Sequence, residues 1–345
     1  MSTRKSPLQE LLGRKAAMTE FQGWEMPAAM RSIGEEVRTA VSGTAIFDAS
    51  AWGRIRLSGR DGLDLLHRLS TNDLLSLKHG ESAATVLTTE KGRIVDAIRV
   101  LRRNDDCLLL TSIGAEDLLL GWIEKYTITE DVELKIVTGE TCMVSLVGPG
   151  ALRTLAAVRE RSSLDEGFPA ADVIPGAAAE IHLVVPAAGG ERLWSHFTAA
   201  GVAPIGIHAR EIFRIMYGVP GRPGELSLDF NPYDVGLQAA ISYTKGCYIG
   251  QEVIARIDTY QKARRSLVGL SSRTPAVVPG TPVINAAGEE AGRVTSWSSA
   301  GLDGCWFGLA VVRSDRAQHG ETVTLQGLTA TATVEPFPVK IPPSS

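Results

Sequence analysis

The chain has 345 residues, 44% of them hydrophobic and 21% charged, with a formal net charge of −4. That length suits two or three domains with a sizeable core, and the slightly acidic balance excludes a general signal for nucleic acid or acidic membranes. Cys107, Cys142, Cys247 and Cys305 form no CxxC pair and no His/Cys spacing of a zinc site. Four cysteines in so long a chain make no disulfide framework, which implies a reducing compartment. Residues 1–9 hold no apolar signal region, and no apolar run approaches the roughly 18 residues that span a bilayer. A cytoplasmic protein without direct nucleic-acid or membrane partners is expected.

In chain order, Phe21-Gln22-Gly23-Trp24-Glu25-Met26-Pro27 reads as a structured loop and 32–42 as an amphipathic helix. Residues 45–48 and 53–57 read as strands, the second by its period-two alternation. Gly59-Arg60-Asp61-Gly62 is a turn, with Asp61 or a neighbour placed to cap the helix carrying Leu63, Leu65, Leu66 and Leu69. Strand patterns follow at 83–88, 94–101 and 107–111, with a tight turn at Glu90-Lys91-Gly92. A helix is expected over 118–126, strands over 141–147 and 180–185, and a helix over 191–200. Helices and hairpins alternating in this way predict α+β lobes of the split β-α-β kind. No GxGxxG follows a strand, which argues against a dinucleotide domain. After residue 260 the composition changes to short β runs separated by turn signals, the pattern of a small barrel or sandwich. Two regions are expected: 1–261, two intertwined α+β lobes, and 262–345, a β-barrel.

The most informative segment is Lys245-Gly246-Cys247-Tyr248-Ile249-Gly250-Gln251-Glu252, followed by Val253-Ile254-Ala255-Arg256. Its glycines permit tight turning. Residues 253–260 read as a helix, so Cys247 stands just ahead of a helix N-terminus, with Lys245 two residues away. Both features favour the thiolate, and Glu252 opposes them. The competing reading is a buried small hydrophobe in a tight turn.

The pattern Lys245-Gly246-Cys247-Tyr248-x-Gly250-Gln251-Glu252-x-x-x-Arg256 resembles the signature of the YgfZ family, folate-binding proteins related to the glycine-cleavage T-protein. Phe21 to Pro27, Phe47-Asp48-Ala49-Ser50, and the stretch from Gly59-Arg60-Asp61 to Thr71-Asn72-Asp73 are similar to the T-protein N-terminal region. Gly292-Arg293-Val294-Thr295-Ser296 and Gly308-Leu309-Ala310 resemble its barrel. The resemblance implies a cloverleaf of two lobes and a barrel around a folate cavity. It implies tetrahydrofolate or a derivative as ligand, and an accessory role with iron–sulfur enzymes or assembly proteins, tRNA-modifying enzymes included. The alternative is a tetrahydrofolate-dependent aminomethyltransferase. Where T-proteins carry an acidic pair, this chain has Asp96-Ala97. Asp234 replaces a pterin-contacting Glu, and Met216 replaces the Glu of the Arg-Ile-Glu pattern. The loss of the second acid and the presence of Cys247 favour the non-enzymatic role.

Cys247 is accordingly the candidate functional thiol, and Asp96 the candidate polarising acid. Asp234, Asp96, Lys245, Gly246, Tyr248, Gln251, Glu252 and Arg256 are candidates for the ligand site; no metal ligands are expected. A carboxylate such as Asp234 can accept two N–H bonds from an aminopterin edge. It can equally stabilise the turn after Asn231-Pro232. Asp96 lies among apolar strand residues, either facing outward or at the site. Arg93, Arg99, Arg102 and Arg103 could wall a glutamate tail or form a solvated face, the reading preferred for Arg102 and Arg103. Arg256, four residues past Glu252, is at ion-pair spacing. Lys262, Arg264 and Arg265 read as a linker face. Trp24, Trp52 and Trp297 read as core aromatics or a stacking platform.

Overall fold

A computed structural model describes residues 3–164, 171–259, 264–328 and 330–340. Residues 21–27 are not a loop. Ala17–Phe21 and Trp24–Ala29 pair antiparallel across Gln22-Gly23. Both turn residues have positive φ, 49° and 82°, which matches the twist of a two-residue hairpin. Arg4–Lys5 adds a parallel edge to this hairpin.

Two five-stranded sheets form the lobes, and the chain passes between them twice. Ala45–Asp48 lies in one sheet beside Thr141–Val147, which pairs on its other side with Glu180–Pro186. Asp172–Pro175 and Ala203–Pro204 are that sheet's edges. Five residues after Asp48 the chain enters the second sheet as Gly53–Ser58, between Cys107–Thr111 and Glu133–Ile136. The hairpin Ser82–Thr88/Ile94–Arg102 completes it. Each sheet carries helices on one face, so each lobe is a two-layer α+β unit. Gly62–Leu69 and Glu116–Glu124 bury Leu65, Leu66, Leu69, Leu119 and Ile123 on the second sheet. Ala151–Leu164 and Gly190–Ala199 bury Leu155, Val158, Trp194 and Phe197 on the first. Each fully buried side chain of this size is worth about 1.5–3 kcal/mol. Asp61 precedes Gly62–Leu69 without capping it; its carboxylate accepts from Asp131 N instead.

The crossing between the lobes is tied by Arg54, fully buried in Gly53–Ser58. Its guanidinium donates to Thr141 Oγ1 and to the carbonyls of Trp52, Ser50, Thr138 and Thr141, at 2.5–3.3 Å. Burial alone would penalise this charge heavily, and it lowers the guanidinium to about 10. Glu36, on helix Ile33–Ser42, is a second buried anchor. It accepts from the backbone N–H of Met30, Arg31 and Gly206.

The helix Ile207–Met216 lies between the hairpin, helix Ile33–Ser42 and the barrel, with eight of its ten residues buried. Six strands close the barrel: Arg265–Ser272, Trp306–Arg313, Glu290–Trp297, Pro282–Ile284, Thr322–Leu325 and Ala330–Glu335, the last returning to the first. Val268, Leu270, Val294, Val312, Val323 and Val334 fill it. The architecture is therefore α+β with a closed C-terminal barrel. The expected domain boundary at 261/262 lies outside the described residues. Among the described residues no helix is long and apolar enough to cross a membrane.

Candidate functional site

The two sheets and Ile207–Met216 enclose a cavity of about 1060 Å³, mouth included. The second sheet contributes Ala97, Arg99, Leu110 and Thr111, and the first contributes Met143, Glu180 and His182. The hairpin tip adds Phe21 and Gln22, the interlobe crossing Trp52, and the helix Arg210, Glu211 and Arg214. The 219–222 loop, including Arg222, closes one side. Among the described residues, none of the barrel lines it. Ser296 of the barrel supports it from behind, donating to Glu225 at 2.8 Å and accepting from Arg214 at 3.1 Å.

An ordered charge network runs along this wall. Glu180 Oε2 accepts from Arg210 at 3.0 Å, and Glu211 pairs with Arg210 at 3.4 Å and Arg214 at 2.9 Å. Arg214 continues to the fully buried Glu225 at 3.3 Å. Burial raises the Glu180 carboxyl, and Arg210 pulls it back. The Arg210 guanidinium lies 5.0 Å from the centre of the Trp52 ring, within cation–π range. His182 Nδ1 hydrogen-bonds Ser145 Oγ at 2.7 Å, and its Nε2 lies 4.0 Å from Glu180. Burial, then Arg210 and Arg99, lowers His182 to about 3, so the ring is neutral near pH 7. The wall thus offers carboxylate acceptors, an aromatic ring and fixed guanidinium groups within one partly apolar space, the composition of a small-molecule site.

Residues 8–189 match the GCVT N-terminal domain, and residues 264–338 match the CAF17 C-terminal beta-barrel domain. The chain belongs to the GCVT family. An aminomethyltransferase from Geobacillus kaustophilus is 32% identical, over 97% of this chain and 98% of that protein. One from Halalkalibacterium halodurans is 28% identical over 93% of each. The crystal structure of the glycine cleavage system aminomethyltransferase T from Bartonella henselae covers 98% of both chains, with a TM-score of 0.81 at 20% identity. The GCVT fold is thereby shared along the whole chain.

Within this GCVT fold the expected site residues separate into three groups. Asp96 is fully buried beside the cavity and not among its lining residues. It accepts from Ser112 Oγ at 2.6 Å and Ser112 N at 3.1 Å, and Ser112 lines the cavity. Burial raises the Asp96 carboxyl against these bonds and against Arg222. Ala97 faces the cavity where the family's second acid was expected.

Asp234 is buried but turned away from the cavity. Its carboxylate accepts from Asn231 N at 3.1 Å, Asn231 Nδ2 at 2.9 Å and Arg265 at 2.6 Å. It locks a turn to the barrel, so the turn-stabilising alternative describes its geometry. Arg265 is part of that lock and not of a linker face.

The Lys245-to-Arg256 segment packs at the tip of the hairpin Ser82–Thr88/Ile94–Arg102 and lines no part of the cavity. Cys247 therefore does not stand at the cavity rim. It is exposed, four residues ahead of helix Gln251–Thr259. Lys245 Nζ donates to three backbone carbonyls, and its ammonium lies 5.1 Å from the Tyr248 ring centre. Tyr248 is buried with Tyr233, Ile241 and Ile254. Gly246 and Glu252 are exposed and Gln251 half-buried. No ion pair joins Glu252 to Arg256 among the described residues. Arg93 donates to Asp229 O and Arg102 to Leu77 O, and Arg103 pairs with Asp172. Only Arg99 of that set reaches the cavity.

Sequence reasoning missed Glu180, His182, Arg210, Glu211, Arg214 and Arg222. The one local signal was Arg210-Glu211-x-x-Arg214, three charges set among Ile, Phe and Met within a single helix.

Proposed function

We propose that the cavity holds tetrahydrofolate or a derivative, and that the protein is an accessory factor in assembly or repair of iron–sulfur enzymes, tRNA-modifying ones included. The observation that carries the ligand half is the pair Glu180 and Glu211, held by Arg210 and Arg214 in a wall that also presents Trp52, Phe21 and Leu110. A reduced pterin has a flat face for aromatic and apolar contact and an N–H edge for carboxylate acceptors. Glu180 Oε1 accepts no hydrogen bond among the described residues and would be available to that edge. In this reading Glu180 and Glu211 take the role expected of Asp234. Membership of the GCVT family supports it. When bound, the folate supplies nitrogens that carry a one-carbon unit.

The accessory half rests on Cys247. Its thiol is exposed, outside the cavity, and held beside the ordered Lys245 and Tyr248. A thiol so placed meets a macromolecular partner and not a ligand in the cavity. One cysteine cannot hold a cluster, which takes about four thiolates, so a partner must bring the remaining donors. Among the described residues no group of His, Cys, Asp and Glu could hold a metal ion. Two experiments test the two halves: calorimetric titration with tetrahydrofolate, and complementation of a strain lacking this protein by Cys247→Ser. The proposal expects saturable heat in the first and loss of iron–sulfur enzyme activity in the second.

The aminomethyltransferase reading is favoured by relatives of that name along nearly the whole chain, and by Asp96 lying one hydrogen bond behind the wall. Ala97 at the wall opposes it. Assay with a lipoyl-bound aminomethyl donor separates the two, an ordinary enzymatic rate of about 1–10³ per second favouring the transferase.

A further inference from the structure

The cavity wall holds four guanidinium groups, Arg99, Arg210, Arg214 and Arg222, against two carboxylates, Glu180 and Glu211. Arg210 and Arg214 are paired with those carboxylates and with Glu225. Arg222 gives Nη1 to Val95 O at 2.7 Å and is near enough to Asp96 to act on its titration. Arg99 differs from all three. Among the described residues it has no ion pair, and its one hydrogen bond is a long contact of 3.5 Å to Gly176 O of the opposite lobe. His182, whose protonation Arg99 opposes, is neutral or cationic in every state and so is no counter-charge. Burial with no compensating anion lowers the Arg99 guanidinium. Strand alternation fixes its direction: Ala97 and Arg99, two apart in Ile94–Arg102, both line the cavity.

A half-buried guanidinium has five donors in a planar fork that matches a carboxylate, and leaving it unpaired is costly. We propose that Arg99 is the anion receptor of this cavity and binds a carboxylate carried by the ligand, so that the site selects anionic ligands. The inference deepens the folate reading and rests on it only for naming the carboxylate, which would then be that of the glutamate tail.

The test uses the full chain as wild type, Arg99→Met and Arg99→Lys. Each is titrated by calorimetry with 5-formyltetrahydrofolate and with its glutamate diethyl ester, whose tail carries no carboxylate. Wild type should prefer the free acid by about 10–100-fold, the worth of a charged hydrogen-bond pair. Arg99→Met should bind both forms about equally, and Arg99→Lys should keep part of the preference. Arg99→Gln replaces Arg99→Met if the latter fails to fold. An undiminished preference in the neutral variant overturns the assignment. So does a wild type that binds both forms equally. If wild type binds neither folate, the folate reading fails, and 4-aminobenzoylglutamate in a thermal-shift assay decides the anion receptor alone. Stabilisation of wild type and not of the neutral variant upholds it; equal response or none in both overturns it.

Discussion

The ammonium of Lys245 lies 2.5 Å from the carbonyl oxygen of His67, at the end of helix Gly62–Leu69. Ser70 O at 2.7 Å and Asn72 O at 2.9 Å complete its shell. A cation over the last carbonyls of a helix satisfies acceptors that have no intrahelical partner and complements the helix dipole. The lysine of the Cys247 segment is thus a clamp that fastens the segment to the second lobe. Burial lowers it to about 8, so it is charged at neutral pH.

Lys245→Met should therefore destabilise the protein by about 2–4 kcal/mol, since three carbonyls lose a charged donor at once. Urea unfolding of the two proteins measures it, and a change below about 0.5 kcal/mol would contradict the clamp.

Gly250 is the second fastening. Its φ is +83°, and a Cβ there would stand 2.5 Å from Thr89 O and 2.9 Å from Thr88 Oγ1. Gly250→Ala should cost at least about 1–3 kcal/mol from backbone strain and clash together. Loss of hydrogen-exchange protection should concentrate in Gln251–Thr259, which packs on Gly92 through Val253.

These two residues show how much was legible in the sequence. The segment could be recognised by its residue types, and the strand pairs around it by alternation, as at Gly53–Ser58 and Ile94–Arg102. The direction in which it faces could not, because the partners of Lys245 lie more than 170 residues away. Helix Ile207–Met216 escaped for a related reason. Its charges Arg210, Glu211 and Arg214 recur at helical spacing, but eight of its ten residues are buried, Arg210 and Arg214 included, so that polar side faces the interior and not solvent. With it went the cavity's charge network, whose members join only in three dimensions. The hairpin at Gln22-Gly23 was hidden by a turn lacking the usual Asn-Gly or Asp-Gly pair.

His182 sets a pH dependence. Its folded pKa is about 3 against 6.5 in the unfolded chain. Between these values the unfolded state holds the extra proton, so stability is fully present above pH 6.5 and is lost as pH falls toward 3. The loss assigned to this residue is on the order of a few kcal/mol. Unfolding of wild type and His182→Gln across pH 7 to 4 should show the steeper acid decline in wild type. Parallel curves would contradict a ring buried neutral.

Thiol chemistry should be confined to one position. Burial raises the thiols of Cys107 to about 11 and Cys142 to about 12, and it also raises Cys305. All three are buried, whereas Cys247 is exposed. Brief alkylation near neutral pH, read by peptide mass spectrometry, should label Cys247 at least about tenfold faster than the others. Comparable labelling of Cys142 would show that the native lobe opens readily.

The proposed folate site in the interlobe cavity is organised by Glu180 and Glu211. The most direct measurement is calorimetric titration of wild type and Glu211→Gln with 5-formyltetrahydrofolate. Wild type should bind saturably and the variant about tenfold more weakly, as expected when a charged acceptor becomes a neutral one. Absence of heat and of thermal stabilisation with wild type at millimolar ligand would contradict it.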